Sequence, residues 1–228
     1  MVSTEEPKLN IAHFSDVLCI WAYVSQIRMQ ELATEFSDRV QIDFHFFPVF
    51  GDVPGKIKKQ WESRGGLSAY SEHVKSVAAQ FEHLHLHPQV WTKAPPKSSL
   101  PAHLYLSAIA ELEEHGNIAS GKTQEFTASL RRAFFVDAKN VSDEDELKIL
   151  CEELSLPLKD IQSLITDASA YARLSRDMNL AKDLNVRASP TIIFNEDRQR
   201  LTGNVGYKII KANIKELIDQ PIDASSWC

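Results

Sequence analysis

The pattern that most limits this chain is a strand–helix–strand unit near its start, a strand–strand–helix unit near its end, and a helical period through residues 56–185 between them. Residues 8–14 (Lys-Leu-Asn-Ile-Ala-His-Phe) read as a short, mostly buried strand. A helix starts at or near Cys19. Its apolar positions fall at Ile20, Tyr23, Val24 and Ile27, and again at Met29, Leu32, Ala33 and Phe36, both sets at i, i+3, i+4, i+7. Val40, Ile42, Phe44 and Phe46 then alternate with Gln41, Asp43 and His45, which is the period of a strand. Two strands do not make an independently stable sheet. The terminal units are therefore expected to pair, with the helices between them inserted.

The inserted stretch carries helical stripes at Tyr105, Ala108, Ile109 and Leu112, at Phe126, Leu130, Ala133 and Phe134, and at Tyr171, Leu174, Met178 and Ala181. Ser142 with Asp145 resembles a capping box before Leu147, Leu150, Cys151 and Leu154. The strand period returns at Thr191-Ile-Ile-Phe194 and around Arg200-Leu-Thr, and a last helix carries Tyr207, Ile210, Ile214 and Leu217. This is the order of an α/β, thioredoxin-like fold with a large all-helical insertion. Residues 1–55 and 186–228 would form a discontinuous thioredoxin-like domain, and 56–185 the inserted helical domain.

Composition narrows the function. Among 228 residues, 25 Lys+Arg against 31 Asp+Glu give a net charge of −6, without the basic excess expected of a nucleic-acid partner. No apolar run approaches the roughly 20 residues that cross a bilayer. The first residues lack the basic flank and apolar core of a signal peptide. Three cysteines are too few for a disulfide-stapled scaffold. The expectation is a cytoplasmic, reduced, soluble protein with no nucleic-acid or membrane partner, and with a homodimer left open.

The thiols differ in setting. Cys19, in Asp16-Val-Leu-Cys19-Ile-Trp-Ala22-Tyr23, sits where a strand gives way to a helix. Partial positive charge at a helix tip favours a thiolate and can draw a cysteine pKa from about 8.5 to about 3.5–7.5. A small buried apolar residue at a junction is the alternative. Cys151 shares a face with Leu147, Leu150 and Leu154 and reads as core. Cys228 ends the 220–228 segment, whose extended length of about 30 Å is enough in principle to return to Cys19 as a resolving thiol. A frayed terminus is the plainer reading. Pro190, in Val186-Arg-Ala-Ser189-Pro190-Thr191, opens a strand where a ladder donor is lost. An ordinary strand start and a cis bond are both compatible with it. His83-Leu-His-Leu-His87 lacks a cysteine or carboxylate at metal-binding spacing, so no metal is expected. His13 reads as a structural position in the first strand, while Trp61, Trp91 and Phe81 read as core or lid residues.

Ile11-Ala-His-Phe-Ser-Asp-Val-Leu-Cys19-Ile-Trp-Ala-Tyr23 resembles the active-site segment of the DsbA family, especially its FrnE-like branch. Val186–Asn195 with Leu201-Thr-Gly203 resembles that family's cis-proline strand and closing hairpin. Ser98-Ser-Leu-Pro-Ala-His103 and Leu130-Arg-Arg-Ala-Phe-Phe135 resemble its helical domain. The resemblance covers about residues 9–218. It implies that Cys19 is a nucleophile, that Pro190 is cis, and that the backbone of Ser189 pairs with a peptide or with glutathione. Trp21 would shape the substrate surface, Tyr23 would pack inward, and His103 would line the cleft between the halves. Asn204 falls where glutathione-using relatives hold the γ-glutamyl end.

The family's usual Cys-Pro-Trp-Cys becomes Cys19-Ile20-Trp21-Ala22 here, so the neighbouring resolving thiol is missing. The leading expectation is a thiol–disulfide oxidoreductase with one nucleophilic cysteine, acting on a thiol- or disulfide-containing protein or on glutathione. It would hold no tight cofactor and take glutathione as co-substrate. The alternatives are a kappa-type glutathione transferase or isomerase and a non-catalytic module that binds a peptide or partner.

Overall fold

The computed structural model describes residues 8–195 and 197–219. The chain runs β1 (Leu9–Ser15), α1 (Ile20–Glu35), β2 (Val40–Phe46), α2 (Val53–Trp61), a 3-10 turn (Glu62–Arg64) and α3 (Gly66–Ala78). It continues with α4 (Leu100–Glu114), α5 (Lys122–Phe135), α6 (Glu144–Glu153), α7 (Leu158–Thr166) and α8 (Ser169–Asp183). It closes with β3 (Thr191–Phe194), β4 (Gln199–Thr202) and α9 (Tyr207–Asp219).

The two terminal units form one sheet in the order β2-β1-β3-β4. β1 pairs with β2 in parallel, as a βαβ crossover through α1 requires. β3 lies antiparallel to β1, with Ile11 opposite Phe194 and Phe14 opposite Thr191. This mixed sheet with its helices is a thioredoxin-like fold, and the register brings the start of β3 beside the end of β1, where Cys19 stands.

Burial follows the pleat. Ile11, Ile192 and Phe194 pack on one face against Met29 and Leu32 of α1 and Ile210, Ile214 and Leu217 of α9. Phe14 and Ile193 pack on the other against Ala181 of α8 and Val186. The largest apolar cluster is shared between the sheet unit and the insertion. It joins Leu18, Ile20, Phe46 and Phe50 to Val74, Trp91, Leu106, Ile109 and Phe134, so the core runs through the sequence boundary at 55/56.

Three local expectations change. Asp143, not Ser142, caps α6: its side chain accepts from the amide of Asp145, whereas the Ser142 hydroxyl donates to the Ser98 carbonyl at 2.6 Å. Tyr171 and Met178 of the expected α8 stripe are exposed, at 55% and 40%. They border a groove of about 800 Å3 with Leu100, Leu104 and Tyr105, while Leu174 and Ala181 turn inward. Ile27 of the α1 stripe is also exposed. Cys228 lies outside the described residues. Among them, no helix is long and apolar enough to cross a membrane.

His13, in the middle of the sheet, is buried with both ring nitrogens unpartnered. Burial, aided by the charge of Arg131, pushes its pKa down to about 3. The imidazole is therefore neutral in the fold, and the unfolded chain takes up a proton below about pH 6.5. Stability is retained above that pH and falls as the pH drops towards 3, by about 1.4 kcal/mol per unit for this group. Urea midpoints measured from pH 7 to pH 4 should decline, and His13→Phe should flatten part of that slope. An unchanged slope in the variant would remove His13 as a cause.

Candidate active site

The segment from Asp16 to Cys19 has every backbone donor assigned. The Asp16 amide donates to Ser189 Oγ at 3.0 Å, and that of Val17 to His103 Nε2 at 3.3 Å. The Leu18 amide donates to Asp16 Oδ1 at 2.8 Å, and the Cys19 amide to the Asp16 carbonyl at 3.1 Å. Asp16 itself is wholly enclosed (0% exposed). Its Oδ2 accepts from the Phe50 amide and from Ser99 Oγ, both at 2.8 Å. One carboxyl thus fastens the end of β1 to the loop after β2 and to the start of α4, and the Asp16 amide reaches the residue before Pro190.

Cys19 is the N-cap of α1, in extended backbone conformation (φ −80°, ψ 120°). Its thiol donates to the Ser189 carbonyl at 3.2 Å, and the Ser189–Pro190 peptide bond is cis. The Trp21 and Ala22 amides of the first helical turn and the Ser189 side chain favour charge on the sulfur. Burial outweighs them and pushes the thiol pKa up, with Asp16 adding to the rise. The thiolate expected from position at a helix tip is therefore not the resting form. At 7% exposure, loss of hydration exceeds what the helix dipole returns.

The other expected site residues divide. Trp21 is half-buried beside the sulfur and meets Phe81 edge-on, with ring centroids 6.4 Å apart. Arg28 lies over Phe81 at 6.0 Å and donates to Asn204 Oδ1 at 2.6 Å and to the Val205 carbonyl at 2.8 Å. Trp21 and exposed Asn204 are thereby joined through Phe81 and Arg28 along one rim. Tyr23 stacks on Phe135, centroids 4.8 Å apart. His103 corrects an expectation: it stands between the two halves but is 0% exposed, so it carries the Val17 amide from below and meets no solvent-filled cleft. Accepting through Nε2 leaves its proton on Nδ1, which has no partner. Burial holds its pKa down, keeping the ring neutral. The Ser189 carbonyl already accepts from the Cys19 thiol, so a ligand pairing there shares that oxygen or takes it over.

Asp16, Ser99 and Arg28 escape the sequence reading as functional residues. Only Asp16 leaves a local trace, an aspartate just after a buried strand and two residues before an amide it can accept from. The histidines of 83–87 do not converge. His83 and His85 are exposed around buried Leu84, and His87 Nδ1 accepts from the Gln89 amide. Among the described residues, no group of three or more His, Cys, Asp or Glu is arranged to hold a metal. Cys151 is fully buried, and its thiol is pushed up to about 12 by that burial.

A fold with a cysteine at the tip of α1, facing a cis-proline across the end of β1, defines a thioredoxin-like protein. The chain belongs to the DSBA-like thioredoxin domain family, which matches residues 10–215. It is similar to the ClpXP adapter protein SpxH of Halalkalibacterium halodurans, 25% identical over 220 residues that are 92% of this chain and 68% of that protein. The Bacillus subtilis SpxH is 26% identical over 140 residues, 58% of this chain and 45% of that protein. The chain thus spans about half to two thirds of the length of these curated relatives. A probable DsbA oxidoreductase from Streptomyces coelicolor superposes with a TM-score of 0.72 at 17% identity, over 96% of this chain and 94% of that one. The cytosolic disulfide reductase DsbM from Pseudomonas aeruginosa, solved with GSH, gives 0.60 at 14% identity, over 92% and 96%. At such identities these two likenesses establish the fold.

Asp16→Ala removes the acceptor for Leu18, Phe50 and Ser99 at once. At about 1–3 kcal/mol for each buried donor left unpaired, the variant should lose about 3–5 kcal/mol of stability in urea titration. Asp16→Asn, which keeps one acceptor oxygen, should lose less. Equal losses in the two variants would mean that the acceptors are not what holds the segment.

Proposed function

We propose that this chain is a monothiol thiol–disulfide oxidoreductase, with Cys19 as its single nucleophile and glutathione as the thiol that releases it. The observation that carries the reading is the Cys19 sulfur at the tip of α1, 3.2 Å from the Ser189 carbonyl beside cis Pro190, with Ala22 where a second thiol would resolve the adduct. The Cys19 thiolate attacks one sulfur of a disulfide, forming a mixed disulfide while the other sulfur leaves as a thiolate. Glutathione, as thiolate, then attacks the sulfur bound to Cys19, forming a new disulfide and returning the Cys19 thiolate. The net exchange converts one substrate disulfide and one glutathione thiol into one substrate thiol and one glutathione mixed disulfide, so the number of disulfides is unchanged and no outside oxidant or reductant enters.

The surroundings fit such an exchange. First-turn amides and the helix tip offset the charge on the Cys19 sulfur before the first step and again as it departs in the second. The Trp21–Phe81 edge offers an apolar surface to a chain carrying the disulfide. Among the described residues Arg28 bonds only neutral acceptors, Asn204 and the Val205 carbonyl, and so offers its charge to a carboxylate of glutathione on the same rim. DsbM, of the same fold, has been solved with GSH.

A second reading, a partner-binding module, draws on the likeness to SpxH adapters and on the low exposure of Cys19. Intact mass after incubation with oxidised glutathione separates the two. The first reading expects one glutathione adduct, absent in Cys19→Ser and removed by added reduced glutathione. No adduct on the native protein favours the binding module. An electrophile conjugated equally well by Cys19→Ser would instead indicate a transferase.

The raised thiol pKa fixes the pH profile. Below it only a small fraction is thiolate, so the alkylation rate of Cys19 should rise about tenfold per pH unit between pH 7 and pH 9. A plateau already reached at pH 7 would mean that helix-tip stabilisation dominates after all. Cys151 should stay unlabelled in the folded protein throughout.

A further inference from the structure

A second set of groups, behind the catalytic loop, has no task in thiol exchange. Arg131 of α5 is buried, yet its two side-chain hydrogen bonds go to neutral acceptors, Gln26 Oε1 at 3.1 Å and Ser15 Oγ at 3.3 Å. Its Nε has no partner. Among the described residues it forms no ion pair, and the oxygens of Asp16 are taken by Leu18, Phe50 and Ser99. Burial lowers its pKa only to about 10, so the guanidinium is cationic at neutral pH. Asp16 acts on this cation only through space, and a buried charge without a bonded counter-ion is costly.

This group borders a crevice between α1 and α5 of about 30 Å3, lined also by His13, Gln26, Gln124, Met29 and Phe44. Both nitrogens of His13 are unpartnered there. Gln26 gives its carbonyl oxygen to Arg131, which leaves its amide N–H2 free to face elsewhere. The half-buried Gln26 and Gln124 and the exposed Gln30 connect the crevice to solvent. The lining is rich in donors, holds one fixed positive charge and includes no carboxylate.

We propose that this crevice binds a small monovalent anion, chloride or another halide, held by Arg131 and by N–H groups of His13 and the glutamines. Size sets the class. About 10–15 Å3 accommodates one water, so this volume suits a monatomic ion better than a bulkier tetrahedral oxyanion. Charge separates the ion from a water, since a water would leave the guanidinium without a bonded counter-ion.

Thermal unfolding in potassium chloride and in potassium gluconate at equal ionic strength tests the site. With chloride at ten times its dissociation constant, Tm should rise by about 3–6 °C over gluconate, and Arg131→Gln should lose that increment. A crystal of the native protein soaked in bromide should show an anomalous peak within the crevice, which decides the matter even if the variant does not fold. Equal Tm in the two salts, or bromide bound only elsewhere, overturns the proposal.

Discussion

The enclosed carboxyl of Asp16 is the contact on which the rest of the site depends. Three segments far apart in sequence, the loop after β2, the start of α4 and the turn into α1, end in donors that only its two oxygens satisfy. Its own amide then fixes Ser189, so the position of the cis-proline relative to the sulfur is set through the same residue. Hydrogen bonds in this water-excluded setting are strong, and their loss would leave several buried groups unpaired together. The sheet brings the two ends of the chain side by side, and Asp16 aligns them to within bonding distance.

Two opposed effects act on the sulfur of Cys19. The helix tip and its free amides favour a charged thiolate, while enclosure by Val17, Leu18, Ile20 and their neighbours favours the neutral thiol. Enclosure prevails in the resting protein. The thiol spends its proton on the Ser189 carbonyl, the group that family resemblance assigns to a ligand's backbone. A ligand donor to that carbonyl would compete with the thiol for its acceptor, which places recognition and reactivity on the same oxygen.

Much of the fold could be read from the residues. Strict alternation in Val40–Phe46 and the four-residue run Thr191–Phe194 specify strands because one buries a single face and the other both faces. The i, i+3, i+4 stripes specify helices but not which stripe finds a partner, so Tyr171, Met178 and Ile27 came out exposed. The cap of α6 lay one residue later than the Ser142–Asp145 spacing suggested, because Ser142 is drawn to Ser98 across a loop. At the site, Cys19 and Pro190 carry local signals. The parts played by His103 and Ser99 are set by residues many positions away, and no spacing rule reports them.

The shared core has a mechanical consequence. Domains that open about a hinge meet through small, fairly polar interfaces, so that parting them exposes little apolar surface. Here Phe46 and Phe50 are packed with Trp91, Leu106 and Phe134 in one cluster, so swinging the helices away as a rigid flap would expose much of the core. Access to the sulfur is cheaper by local loosening of the few residues that cover it, a sub-global opening confined to the rim. The helical half is thus better described as a fixed wall of the site than as its door.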